Sequence, residues 1–264
     1  MDRRTALALL GGVGGAVGLG GAATLLSGAE NQTAPFPKAG FPKLPWPYKP
    51  LDPVAIGNQA YEAYYRGDCM YGTFEPIVSG VVALLGDAYK GFPYEMFFYG
   101  KGGVYGWGTL CGCLNGCAAA IQMLSPKPEP LIDELYRWYQ NTSLPDFEPK
   151  GMKFKLPKSV SGSPLCHTSI AKWCEVSGHK AYSPERKDRC GILAASVAAK
   201  CAMLLNDQAG GKPMTATPVD ARTGSCMSCH EKGGAMENMR SKQACAPCHS
   251  DDLLKLKGHA KIKL

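Results

Sequence analysis

The chain has 264 residues, 45% of them hydrophobic and 19% charged, with 12 cysteines and a formal net charge of +7. That length allows one or two domains with a sizeable core, and the ordinary apolar fraction excludes a disordered or fibrous chain. The positive charge is moderate and dispersed, with no basic run, which argues against a nucleic-acid partner.

Met1-Asp2-Arg3-Arg4-Thr5 carries paired arginines, and Ala6 to Leu26 follows without a charge. Seven of those 21 residues are glycine, so the stretch is a poor helix former and weakly hydrophobic for a membrane span. Ser27-Gly28-Ala29 supplies small residues for cleavage. Residues 1–29 therefore read as an export signal that resembles the twin-arginine type, although the Phe that usually follows the arginines is absent. The body is expected in the periplasm, with membrane association only if this segment is retained. A twin-arginine route carries folded chains, which points to a cofactor inserted before export.

Residues 30–54 hold seven prolines interleaved with Phe36, Phe41, Trp46 and Tyr48. Proline this dense excludes helix and interior strand, so the segment reads as an extended arm lying along a surface, its own or a partner's.

Residues 55–214 read as a helical, cysteine-rich domain. Ala60, Tyr61, Tyr64 and Tyr65 recur at helical spacing and stop near Gly67. Phe74 to Leu85 repeats the pattern, and Tyr99 to Gly108 is a Gly-rich loop. Leu110 to Leu124 suits a buried helix. Pro130 starts another over Leu131 to Tyr139, with Leu135 and Trp138 on one face. Residues 143–165 are a Pro- and Lys-rich loop. Ser183-Pro184-Glu185-Arg186 reads as N-cap and N1 proline of a helix that continues through Cys190 to Leu205. No strand alternation is convincing, so the fold class is mainly α.

This domain carries eight cysteines: Cys69, Cys111, Cys113, Cys117, Cys166, Cys174, Cys190 and Cys201. An even number in an exported chain permits disulfides, and labile ones would suit a thiol-based sensor. Cys117 and Cys201 in Ala-rich helices read as small buried hydrophobes. Cys111, Cys166 and Cys190 each lie near a loop or helix start, where thiolate ligation of an iron–sulfur cluster is credible, and Cys69 is the fourth candidate.

Residues 215–264 contain Cys226-Met227-Ser228-Cys229-His230 and Cys245-Ala246-Pro247-Cys248-His249. Each is a C-x-x-C-H, the attachment signature of c-type haem. Two thiols add to the two vinyl groups of one porphyrin, and the following imidazole binds the iron. A zinc site would not need a His after each pair. Cys226, Cys229, Cys245 and Cys248 are thus the covalent anchors of two haems c, with His230 and His249 as proximal ligands. His259, His179 and His167 are the spare histidines for the distal positions, with Met236 and Met239 competing. Few large apolar side chains occur in this segment, so it should order only around its haems.

The cysteine-rich helical body followed by two closely spaced C-x-x-C-H motifs resembles the split-Soret cytochromes c. The body is also similar to a wider group of redox-active proteins named for a C…GCAxxG…C…C pattern. Gly116-Cys117-Ala118 fits its centre with Ile121 in place of the last Gly, and Cys111-Gly112 is a rival alignment. Cys69, Cys166 and Cys190 fit the other positions. The resemblance implies a homodimer with two nearly parallel haems per subunit. It also implies bis-His ligation with one His crossing between subunits, and an iron–sulfur centre in the body, for which [2Fe-2S] is favoured.

The functional expectation is a periplasmic electron carrier, more a non-catalytic carrier than an enzyme. Its subunits would meet through their haem ends, where exposed porphyrin would otherwise form an apolar patch. Lys255, Lys257, Lys261 and Lys263 would steer an acidic redox partner. The alternative is a haem-dependent reductase of a small nitrogen or sulfur compound, which needs an open coordination position.

Overall fold

The structure is a computed structural model and describes residues 42–249 apart from residue 215. The export signal at 1–29, the arm as far as 41, His259 and the C-terminal lysines lie outside the described residues.

The described part of the arm packs on its own chain. The Trp46 indole is buried, its ring edge-on to Tyr89 at 5.1 Å, and its backbone N–H donates to Met123 O at 2.8 Å. Tyr48 Oη and the Leu51 N–H both donate to Asn206 Oδ1, and Asn206 Nδ2 donates back to Leu51 O.

Helix α1, Pro53–Leu85, starts inside the segment read as arm, because Pro53 takes the N1 position and Asp52 caps it by accepting from the Val54 N–H. The break expected near Gly67 is a kink rather than an end. Gly67 and Asp68 leave helical geometry, Asp68 with φ 61°, and the helix resumes at once. A Cβ at Gly67 would collide with the Tyr71 and Phe98 rings, so glycine permits the bend there. The 3₁₀ turns Asp87–Tyr89 and Tyr94–Gly100 and a Gly-rich loop follow.

Helix α2, Gly112–Leu124, lies directly on the α1 backbone. A side chain at Gly112 would collide with Gly100 O, and one at Gly116 with Met70 O. Helix α3, Pro128–Asn141, begins two residues before the expected start, because Pro128 and not Pro130 occupies the first turn's leading position. Its buried stripe is Leu131, Leu135 and Tyr139; Trp138, expected there, stays half-buried under the Lys200 amine.

Helix α4, Cys166–Ser177, was not expected from the sequence. Its N-cap is Leu165, which offers no capping side chain, so it carries no polar start signal. Helix α5, Pro184–Ala209, begins as expected, with Ser183 Oγ accepting from the Arg186 N–H. Small residues let α5 approach α1 closely: a Cβ at Gly191 would sit 3.0 Å from the Tyr64 ring. By length and composition α5 could cross a membrane, but 78% of its apolar window is buried, as befits a core helix. Helix α6, Ala221–His230, is capped by Asp220.

The protein is mainly helical. Among the described residues there is no strand, only the isolated bridges Leu110–Leu165 and Leu144–Ser159. The core lies between α1, α2, α3 and α5, and it includes Cys69, Cys111, Cys113, Cys117, Cys190 and Cys201.

Candidate redox centres

Two helix starts, a kink and a helix interior bring the four expected cysteines into one buried region. The Leu110–Leu165 bridge is fixed by the Cys111 N–H donating to Pro164 O at 2.9 Å and the Cys166 N–H donating to Thr109 O at 2.7 Å. It sets Cys111, the N-cap of α2, near Cys166, the first residue of α4. Cys69 follows the α1 kink and meets α2 at Gly112, where an added Cβ would stand 2.7 Å from Cys69 Cβ. Cys190 enters from α5. The Cys166 thiol lies within electrostatic reach of Cys111, Cys69 and Cys190.

Sequence reasoning missed Cys113, whose thiol interacts with those of Cys111 and Cys69. That contact pulls the Cys111 thiol down to about 6 despite its burial, and pushes Cys113 up. Burial pushes Cys166 and Cys190 up as well. Among the described residues, no three His, Cys, Asp or Glu side chains stand close enough to grip a metal ion as placed. Cys113 adjoins Cys111 and Cys69, and Cys166 and Cys190 lie within electrostatic reach of them.

The surroundings nonetheless suit a thiolate-bound metal. Arg189, beside Cys190 and within electrostatic reach of Cys111, is 1% exposed, and its Nε has no hydrogen-bond partner. A buried cation of this kind needs an anion, and thiolates would supply one. The remaining cysteines stand apart from this chemistry. Cys117 and Cys201 face each other's helices, the Cys117 thiol reaching Val197 O at 3.6 Å and the Cys201 thiol Cys117 O at 3.9 Å. They are fully buried core residues, and Cys174 is half-buried.

The C-x-x-C-H motifs form a second region. Cys226, Cys229 and His230 occupy positions i, i+3 and i+4 of α6, one face of a helix. The second motif makes the same turn without a long helix: the N–H groups of Cys248 and His249 both donate to Cys245 O. The two turns are stitched together. The Cys245 N–H donates to Thr223 Oγ1 at 3.0 Å, Arg222 donates to His249 O at 2.9 Å, and the Cys226 and Cys245 thiols lie within electrostatic reach of each other. His230 Nδ1 lies 2.6 Å from Asn238 Oδ1. An amide oxygen only accepts, so this contact puts the proton on Nδ1 and the lone pair on Nε2, the tautomer an iron ligand needs.

The two regions touch. Gln140, at the end of α3, accepts from the Gly162 N–H through its backbone and from the Ala244 N–H through Oε1. A Cβ at Gly162 would sit 3.1 Å from Pro247 of the second motif, and Gly162 lies four residues before Cys166. Its neighbour Tyr139 reaches the Cys111 thiol.

The distal candidates are not gathered at either motif. His167 is exposed, with Nδ1 3.1 Å from Gly108 O. His179 stacks on Trp173 at 5.7 Å, with Nδ1 3.7 Å from the Glu185 carboxylate. The rival Met236 and Met239 wrap the first motif by backbone bonds to Cys229 O and His230 O.

Buried, mutually interacting thiols within a helical core define a redox protein. The family model described as "Putative redox-active protein (C_GCAxxG_C_C)" matches residues 79–204. The chain is 38% identical over 265 residues to the split-Soret cytochrome c of Desulfovibrio desulfuricans (strain ATCC 27774 / DSM 6949 / MB), covering 95% of each. It also matches the solved structure described as "A novel iron centre in the split-Soret cytochrome c from Desulfovibrio desulfuricans ATCC 27774". There the TM-score is 0.72 at 38% identity, over 78% of this chain and 90% of that one. This chain belongs to the split-Soret cytochrome c family.

Proposed function

We propose that this protein is a periplasmic electron carrier that holds two covalent haems c per chain and a cysteine-bound iron–sulfur centre, of the [2Fe-2S] type, in its helical body. The observation that carries this reading is the stitching of two C-x-x-C-H turns to each other and, through Gln140 and Gly162, to the loop leading into Cys166. The relative's name, a cytochrome c, and the iron centre described in its solved structure support both halves of it.

When bound, such groups supply one-electron couples. The chain's own residues hold them in place. Cys226 with Cys229, and Cys245 with Cys248, would tether the two porphyrins, and His230 and His249 would supply the proximal imidazoles. Asn238 orients the first of these imidazoles. Cys69, Cys111, Cys166 and Cys190 would hold the iron–sulfur centre, with Cys113 beside Cys111. Burial keeps Cys166 and Cys190 protonated before metal arrives, so its uptake releases protons. The distal positions fall to His259, His179 and His167. Exposed His167 and half-buried His179 suit ligation across a dimer joined at the haem ends. The C-terminal lysines steer an acidic redox partner.

Quantitation of the purified protein tests this. The expected result is two haems per chain, non-haem iron with acid-labile sulfide, and no carbon monoxide binding by the reduced form. Fewer than two haems overturns the dihaem assignment. Carbon monoxide binding favours a reductase with an open iron.

A further inference from the structure

The body contains a cation that no carboxylate answers. Arg189 is fully buried in α5, and among the described residues no ion pair reaches it. Its sequence neighbour Asp188 is committed elsewhere. Asp188 Oδ1 accepts from the Tyr61 and Tyr65 hydroxyls at 2.6 Å each, and Oδ2 from the N–H groups of Lys153 and Phe154 at 3.0 Å each. The Arg189 guanidinium donates through Nη2 to Ser169 Oγ at 3.0 Å, a neutral acceptor that also takes the Tyr139 hydroxyl at 3.0 Å. Its Nε has no partner. Ser169 lies one turn beyond Cys166 on α4, and Tyr139 reaches Cys111, so the guanidinium sits among the residues that surround the thiols.

We infer that Arg189 is a fixed positive charge that raises the electron affinity of the cysteine-bound centre. The inference rests on the proposed iron–sulfur site and adds to it a residue that binds no metal. One electron, delivered by a reduced haem that is thereby oxidised, adds one negative charge to a buried site. A guanidinium in the same low-dielectric region keeps its proton throughout, so its field favours the reduced form over the oxidised one. Arg186, one turn earlier, also approaches Cys190. It is half-buried, and its Nε donates to Ala181 O, so solvent and that carbonyl weaken its field. Arg189 is a positioning residue in this sense: it acts on electron affinity through the field at the thiolates.

The test is a potentiometric titration of the intact protein, following cluster absorption with the haem bands as an internal control. At the ambient potential where the wild-type centre is half reduced, Arg189→Met should leave it at least tenfold more oxidised than reduced, about 59 mV for a one-electron couple. Arg189→Lys should stay within threefold of the wild type. Ser169→Asp keeps the arginine but gives it a carboxylate, and should shift the centre in the same direction as Arg189→Met. A half-reduced centre in both Arg189→Met and Ser169→Asp overturns the inference. If neither variant assembles iron while Arg189→Lys does, with helix content and haems intact, the charge requirement stands. If Arg189→Lys also fails to assemble iron, shape rather than charge is responsible, and the inference falls. Absence of non-haem iron from the wild type would instead remove the proposed iron–sulfur site itself.

Discussion

Gly112 shows how a single residue places the thiols. It follows Cys111 and precedes Cys113, and any side chain on it would drive into Gly100 O and the Cys69 side chain. Gly112→Ala should therefore destabilise the body by at least about 1–3 kcal/mol, as overpacking does, read as a lowered urea midpoint with unchanged slope. At this scale the sequence was informative about placement: Cys111, Cys166 and Cys69 each follow a loop or a break, and the structure brings them into one buried region. Cys113 was not legible, because two residues of helix turn about 200°, which would carry its thiol away from Cys111. Cys111 is instead the N-cap, with non-helical geometry, φ −55° and ψ 127°, so helical periodicity does not apply to the pair. Arg189 was hidden for a different reason. Charged residues are rarely fully buried, and nothing in Asp188-Arg189-Cys190 says which of two adjacent charges takes which partners.

Among the elements, the last turn of α3 has the widest influence. Tyr139 looks inward to Ser169 and Cys111, and Gln140 looks outward to Gly162 and Ala244. Gln140→Ala removes the acceptor of the Ala244 N–H. The expected outcome is faster amide exchange at Ala244 and Cys245, a local loss of about 1 kcal/mol, with the thiol region's exchange unchanged. Helix α6 makes a separate prediction. Burial opposes ionisation of the Asp220 carboxylate, yet the hydrogen bonds it accepts, from Thr223 foremost and from the Asp220 and Arg222 backbone, together more than offset this, and the net shift is downward. A carboxylate held below its ordinary value stabilises the fold above that value and loses the stabilisation as pH falls through the native one. Asp220→Ala should thus weaken α6 by about 1 kcal/mol at neutral pH, and the gap from wild type should close below about pH 4. Thermal unfolding followed at the haem bands would show both. The start of α5 was legible because Ser183-Pro184 is a strong local signal. Helix α4 was not, since its order depends on the Leu110–Leu165 bridge, a contact between segments 55 positions apart.

For the whole molecule, the mainly helical body was legible from apolar periodicity, and membership of a redox family from cysteine spacing. The docking of the second C-x-x-C-H turn on the body was not, because it runs through a glutamine amide and a glycine, residues without a distinctive pattern. The described residues after Ala209 bury little beyond Thr223 and Cys245. Two porphyrins there would lack a cover within one subunit, so a two-fold partner is expected. Sedimentation should show a dimer, and dilution to monomer should convert at least one haem to high spin if a histidine is shared. A monomer with unchanged low-spin spectra would exclude the shared ligand.

The clasp of Tyr48 and Leu51 on Asn206 joins residues 155 positions apart in the case of Leu51. During synthesis this clasp waits until nearly all of α5 has been made, whereas the Trp46 seat on Tyr89 and Met123 is available much earlier. The arm is thus fastened at two points made at different times, and its longer-range fastening, on Asn206, ties the start of α1 to the far end of α5.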